Sequence, residues 1–148
     1  VSALLSLQVE EHLRAGNTNG HVFFEMGDFI SKNELTFIDF NHFKGKQTVY
    51  GEYGIDQFQL LDYYNFSTAN FYFQGHYQHQ FSSLRESGKS RFQPMIGLNY
   101  LYTESGGSYG ELGVGVGQIL DIWRIDFYTG LREGGDFSSG LRIGVNVN

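Results

Sequence analysis

Cysteine is absent from the 148-residue sequence, and proline occurs once. Without cysteine the chain can form neither a disulfide framework nor a cysteine-based zinc site. Ten lysines and arginines face sixteen aspartates and glutamates, a net charge of −6, so the basic surface that binds nucleic acid is missing. No apolar run approaches the ~20 residues of a membrane-spanning helix. These absences leave an all-β chain without a nucleic-acid partner.

Glycine and aromatic residues are abundant instead. The 20 glycines exceed the usual share of about 7% roughly twofold. Aromatic residues make up 17% of the chain and charged residues only 18%, a composition opposite to that of disordered proteins. The sequence starts at Val1 without methionine or a basic leader. We therefore expect a single domain over residues 1–148 that is the C-terminal fragment of a longer chain.

An alternation of apolar and polar side chains dominates the second half of the chain. Such alternation places successive residues on opposite faces of a strand. It predicts strands at residues 69–80, 91–103, 109–118, 122–132 and 139–148. Turn-like segments separate the last four of these strands and follow the first, at residues 82–90, 104–108, 119–121 and 133–138. The pattern is that of an antiparallel meander joined by hairpins.

The first half of the chain is less regular. Alternation through Leu5, Leu7 and Val9 predicts a strand, followed by a turn at residues 17–20. Further strands are predicted at 21–26, at 34–40 and, after a polar loop at 41–47, within 48–61. The total of about nine strands is odd, which indicates either a miscount or a sheet completed by residues upstream of Val1.

The character of the polar face decides the predicted class. A soluble sheet usually solvates one face with lysine and glutamate, whereas here that face carries glutamine, asparagine, glycine and tyrosine. Strands of ~9–12 residues exceed the globular mode and match tilted membrane strands. Aromatic residues stand near predicted strand ends, where membrane girdles lie: Tyr100, Tyr102, Tyr109, Trp123 and Phe137. The predicted fold is an antiparallel up-and-down transmembrane β-barrel, or the C-terminal part of a larger one, closed as hydrocarbon requires.

The same alternation assigns side chains to lipid or to a wet interior. An arginine facing lipid at mid-bilayer costs roughly 2–4 kcal/mol, so charged residues should face the lumen and form cross-strand arginine–carboxylate pairs. Glycines 113, 115 and 117 would leave room for lumen side chains such as Tyr128 or Arg142, or permit curvature. The lumen-facing set is Gln74, His76, Gln78, Glu111, Arg124, Asp126, Arg132 and Arg142. The lipid-facing set is Phe71, Phe73, Leu112, Val114, Val116, Ile125, Phe127, Ile143 and Val145.

An ordered series of motifs resembles a known family. The segments are residues 35–48 (LTFIDFNHFKGKQT), 58–68 (FQLLDYYNFST), 75–81 (GHYQHQF), 109–115 (YGELGVG) and 123–127 (WRIDF). Together they resemble the C-terminal region of a Bacteroidota outer-membrane β-barrel family of unknown function. Its full-length members carry an N-terminal carboxypeptidase-like regulatory domain. The resemblance spans residues 22–148.

That resemblance implies a location and partners but no established activity. It implies the bacterial outer membrane, a larger parent barrel, contact with outer-membrane lipid and, as partners, other envelope subunits. If Asn148 lies near the terminus, the last strand runs toward the periplasm. The outward loops would then be 62–67, 104–108 and 133–138, and residues 119–121 a periplasmic turn.

Motifs that suggest chemistry are weak. His76 and His79 point to opposite faces of a strand and cannot share a metal ion. The glycines at 113–117 lack both the third glycine of a dinucleotide site, where Gln118 stands, and a following helix. We therefore predict no enzyme, cofactor or metal, and a structural, transport or envelope-assembly role. Two alternatives stay open: a soluble barrel that binds an apolar ligand inside, and a barrel lipid hydrolase using Asp39, His42 and a nearby serine.

Overall fold

The computed structural model of the protein describes residues 3–16, 18–31, 40–44, 58–61, 65–82, 84–86, 90–120 and 122–145. These residues form strands, turns and irregular segments, and none of them forms a helix able to span a membrane. The strands are β1 (Ala3–Ala15), β2 (Thr18–Ser31), β3 (Tyr72–Gln80), β4 (Leu84–Glu86), β5 (Ser90–Thr103), β6 (Gly107–Ile119), β7 (Trp123–Arg132) and β8 (Phe137–Val145).

The strands form one antiparallel meander. Seven of them lie in the order β1-β2-β3-β5-β6-β7-β8, and the short β4 pairs with β5 and prolongs the β3–β5 hairpin. Every pairing is antiparallel, so the predicted all-β antiparallel class is confirmed. Among the described residues no strand pairs with the outer edge of β1 or of β8, so the sheet is open and does not form a closed barrel.

The sheet has two dissimilar ends. At one end, here called the turn end, lie the β1–β2 turn, the β4–β5 hairpin and the β6–β7 turn. Gly16 takes a left-handed conformation (φ 61°) in the first of these turns, as short hairpin loops require. At the other end, the loop end, lie the long β2–β3 connection and the β5–β6 and β7–β8 turns.

The predicted boundaries hold well from β5 onward, where each described strand end lies within two residues of its predicted position. Earlier predictions fare worse. The turn predicted at 17–20 is wrong, because Ala15 pairs with Thr18 and β2 starts there. The strand predicted at 21–26 runs on through Gly27, where the Tyr72 ring occupies the space that a β-carbon would fill. The first turn-like segment, 82–90, contains β4.

Predictions for the β2–β3 connection are only partly testable. Of the range 48–61, within which a strand is predicted, residues 58–61 are irregular, and the other positions lie outside the described residues. The strand predicted at 34–40 also lies outside them, apart from Phe40, which is a bend. The strand predicted from residue 69 starts at Tyr72.

The two faces of the sheet differ in what covers them. One face, here called the apolar face, presents exposed aliphatic and aromatic side chains on six of the seven strands of the meander, and half-buried ones on β3. The opposite, polar face is covered by residues 40–44, 58–61 and 65–71 of the β2–β3 connection, here called the cover segments. The core lies between the cover segments and the sheet, and consists of Phe43, Phe58, Leu61, Phe66, Tyr72, Leu101 and Tyr109.

Candidate functional site

The apolar face is continuous across the register of the sheet. Ile96 pairs with Val114, Val114 with Phe127, and Phe127 with Leu141. Of these side chains 39%, 54%, 45% and 66% remain exposed, in that order. Such a row forms one unbroken apolar strip over four strands. All predicted lipid-facing residues that lie in strands are on this face: Phe73, Leu112, Val114, Val116, Ile125, Phe127, Ile143 and Val145.

Aromatic residues mark both ends of the apolar face. Tyr100, Tyr102 and Phe137 are exposed near the loop end, and Trp123 near the turn end. Phe71, predicted to face lipid, precedes β3 and places its ring 6.4 Å from that of Tyr102. One of the five predicted girdle residues lies elsewhere and is 6% exposed on the polar face. That residue is Tyr109, whose position in the alternation puts it among Phe58 and Phe66.

The polar face carries every residue predicted to face the lumen. In the pairing register they share this face on β3, β6, β7 and β8: Gln74, His76, Gln78, Glu111, Arg124, Asp126, Arg132 and Arg142. These eight residues do not all line a water-filled space, as was expected. The cover segments pack over much of this face, on which His76, Glu111 and Asp126 are almost completely buried. Arg132 stacks its guanidinium 4.5 Å above the Phe66 ring.

Glu111 on β6 is the anchor of the cover segments. Its carboxylate is 1% exposed and accepts hydrogen bonds from three consecutive backbone amides, those of Gln59 (2.7 Å), Leu60 (2.8 Å) and Leu61 (3.2 Å). The Nδ2 of Asn99 donates at 2.9 Å and the hydroxyl of Tyr109 at 2.8 Å. Successive backbone N–H groups of this kind make an anion-binding concavity. Backbone amides therefore take the place of the arginine partner that was expected for this carboxylate.

A relay of polar side chains continues from Glu111 across the polar face. Asn99 turns its Oδ1 to the Nδ1 of His76 (3.0 Å), and the Nε2 of that ring lies 3.1 Å from the Oε1 of Gln74. Gln74 in turn donates its Nε2 to a carboxylate oxygen of Glu25 at 2.5 Å. Ionised carboxylates only accept hydrogen bonds. Asn99 and Gln74 therefore direct their NH₂ groups toward Glu111 and Glu25, and their oxygens toward His76.

The segment 58–61 reaches well beyond Glu111. Phe58 places its ring 4.6 Å from that of His76 on β3. Gln59 accepts a hydrogen bond from Arg142 on β8, and the Leu60 side chain lies over Gly140 of the same strand. On a flat sheet four strand spacings would separate β3 from β8, about 19 Å. The backbone from Phe58 to Leu60 spans at most about 7 Å. The rest of the distance between β3 and β8 is therefore covered by the two side chains and by the curvature of the sheet.

Glycines of β6 accommodate the side chains of β7. A β-carbon on Gly113 would overlap the ring of Tyr128, and one on Gly115 would overlap the carboxylate of Asp126. The expectation that these glycines leave room for Tyr128 is confirmed. Arg124 donates to Asp126 at 2.7 Å. That ion pair lies within one strand rather than across two, although Arg142 stands opposite Asp126 in the register.

A histidine and a serine meet at the loop end. Asn41 and Thr68 form an isolated antiparallel bridge between two cover segments. Beside it, the Nδ1 of His42 lies 2.6 Å from the Oγ of Ser67, so the sequence hypothesis of a nearby serine has a concrete candidate. Asp39, the third member of that hypothesis, lies outside the described residues.

Sequence reasoning missed two members of the polar site. Glu25 holds the hydroxyl of Tyr72 (2.8 Å) as well as Gln74. Asn99 stands directly opposite Glu111 in the β5–β6 register. The signal for Glu25 was its being the lone carboxylate of the strand predicted at 21–26. The signal for Asn99 was its place on the polar side of the alternation.

Comparison with known proteins gives one match. A family profile described as "Family of unknown function (DUF5686) C-terminal domain" matches residues 2–116. No curated protein and no solved structure shows a significant match to the chain.

Proposed function

The chain belongs to this family of unknown function, as the match over residues 2–116 shows, and we propose on that premise that it forms part of the wall of an outer-membrane β-barrel. One observation carries the proposal: the sheet is inverted relative to a soluble protein. Its aliphatic and aromatic face is largely exposed, while Gln74, His76, Glu111 and Asp126 on the opposite face are buried. Exposed apolar surface on this scale marks contact with a membrane or a partner.

The distribution of charge on the apolar face supports lipid as the contact. On the described parts of β5 to β8 that face carries no Asp, Glu, Lys or Arg. All charged side chains of β6 and β7 point to the polar face, where Glu111, Arg124 and Asp126 have polar partners. A soluble barrel with an apolar interior would need the opposite arrangement, so the structure does not favour that alternative.

The direction of the edge strands supports membership in a larger barrel. In a seven-strand meander β1 and β8 run in the same direction. Antiparallel closure therefore requires an odd number of further strands between them, which agrees with the even strand totals of bacterial single-chain barrels. Open edges inside hydrocarbon would leave backbone groups unpaired at several kcal/mol each. We propose that other parts of a longer chain supply these strands, since the matching family is described as a C-terminal domain.

The biological role proposed is structural, with transport or envelope assembly as its context. The partners are outer-membrane lipid and other envelope subunits. The Bacteroidota origin and the N-terminal carboxypeptidase-like regulatory domain belong to the same proposal, and rest on the motif resemblance. The cover segments, which fill the polar side of the wall, favour a barrel with an occupied interior.

Single-cysteine spin labelling tests the proposal, because this chain has no cysteine of its own. Leu112→Cys and Ile125→Cys place labels on the apolar face, and Asp136→Cys places a reference label in the exposed β7–β8 turn. In the full-length protein reconstituted into lipid vesicles, we expect the first two labels to collide with oxygen and to be shielded from a water-soluble nickel chelate. The reference label should show the reverse.

Two results would overturn the proposal. One is nickel accessibility at Leu112 and Ile125 equal to that at Asp136, which would place the apolar face in water. The other is recovery of the natural full-length protein from cells outside the outer-membrane fraction.

Hydrolysis of a lipid ester is the second candidate function, favoured by the His42–Ser67 contact. A serine hydroxyl within 2.6 Å of an imidazole nitrogen has the reach that an activated nucleophile needs. Both residues lie at the loop end in cover segments, beside the rim of the proposed wall.

A further inference from the structure

The β1–β2 hairpin brings three metal-ligating side chains together outside the polar relay. Glu10 and His12 lie two residues apart on the polar side of β1, and His12 stands directly opposite His21 of β2. We propose that Glu10, His12 and His21 form a binding site for a divalent transition-metal ion, with zinc as the best fit. This inference rests on the hairpin alone and does not depend on the proposed membrane role.

The ligand atoms already converge. The Nε2 of His21 lies 2.7 Å from the Oε1 of Glu10, and the Nε2 of His12 lies 3.7 Å from the same oxygen. Potential ligand atoms of all three residues fall within 4.8 Å of one another. The two imidazole rings stack with centroids 4.1 Å apart. Bonds of about 2.0–2.2 Å to a shared ion need only small side-chain rotations from this arrangement.

The environment of the three residues suits a metal better than a structural contact. The His21 side chain is 10% exposed, whereas His12 is 72% exposed and can rotate. The buried Nδ1 of His21 has no hydrogen-bond partner among the described residues, so Glu10 alone holds this ring by hydrogen bonding. A cavity of about 220 Å³ opens beside the histidines, with Gln78 of β3 in its wall. It offers room for water or a further ligand.

Two imidazoles and one carboxylate make a recognised zinc donor set. Zinc sites with three protein ligands of this kind keep a fourth position for water or another ligand. Imidazole nitrogen also selects against calcium and magnesium, which prefer oxygen. The chemistry therefore points to zinc, and to copper(II) or nickel(II) as competitors.

Zinc binding to the full-length purified protein tests the site. The measurement is competition for ZnCl₂ against a chromogenic chelator, with the wild type compared to His12→Ala and His21→Ala. The matched control is His79→Ala, since this histidine lies near the same end of the sheet but on the apolar face. We expect the wild type to bind one more zinc equivalent than either site variant, or to bind zinc at least tenfold more tightly. The control should match the wild type.

His12→Ala decides the outcome if His21→Ala, which alters a buried ring, fails to fold. Zinc binding by a folded His12→Ala variant that equals the wild type would overturn the proposal. Cobalt(II) gives a second readout: the wild type should show the intense visible absorption of a tetrahedral site. Its persistence in both His12→Ala and Glu10→Gln would contradict the assignment.

Discussion

Replacing Glu111 by glutamine should release the cover segments from the sheet. The substitution keeps the shape of the side chain and puts an NH₂ group in place of one carboxylate oxygen. If that group takes the Oε2 position, it faces two donors, the amide of Gln59 and the Nδ2 of Asn99. A buried donor left without an acceptor costs ~1–3 kcal/mol, so Glu111→Gln should lower the free energy of unfolding by about 2–6 kcal/mol.

Denaturant unfolding of the full-length protein, followed by tryptophan fluorescence, measures this loss. Trp123, the one tryptophan of this chain, lies on β7 beside the anchored strand. The second measurement is limited proteolysis: cleavage within residues 58–61 should accelerate, because the three amides that Glu111 holds belong to that segment.

Glu104→Gln supplies the control, since it removes the same charge from an exposed turn position. Surface changes of this kind usually stay within about 0.5 kcal/mol. A Glu111→Gln protein as stable as the control, with unchanged cleavage of residues 58–61, would show that Glu111 does not anchor them.

Two further predictions concern the β6–β7 contact and the loop end. Gly113→Ala should destabilise the protein by about 1–3 kcal/mol through overpacking, because the new methyl group meets the Tyr128 ring. Adding Tyr128→Leu should recover part of that loss in denaturant unfolding, and additive losses would contradict the overlap. Ser67→Ala should abolish hydrolysis of a short-chain lipid ester if the His42–Ser67 pair is catalytic. Equal activity in wild type and variant, or none in either, would eliminate the hydrolase.

Much of the sheet was predictable because its pattern is local. Alternation at period two places each residue on a face without knowledge of its partners, and for β5 to β8 the resulting assignment agrees with the pairing register at the described positions. The prediction was wrong where turn-forming residues lie inside a strand. The sequence Asn17-Thr18-Asn19-Gly20 has the composition of a turn, yet Ala15 pairs with Thr18, so β2 begins inside the predicted turn. Gly27 reads as a strand end, yet pairing on both sides carries β2 past it.

The sequence predicts which residues share the polar face, but not which groups they hydrogen-bond to. Alternation put Glu111 and His76 on one face, but the backbone amides that satisfy Glu111 come from fifty or more positions earlier in the chain. No local sequence pattern predicts a contact between residues so far apart in the chain. The proposed metal site was not predicted from the sequence for a related reason: His12 and His21 face each other only once the register of the β1–β2 hairpin is fixed.

The segment at residues 58–61 has a consequence for ion flow. It touches β3 through Phe58 and β8 through Leu60, so it lies as a chord across the polar side of the sheet. In a closed wall that chord would obstruct the central passage, and the protein would be electrically silent at rest rather than a constitutive channel. Conductance would then depend on displacing this tetrapeptide, and the three hydrogen bonds from its backbone amides to Glu111 oppose that displacement.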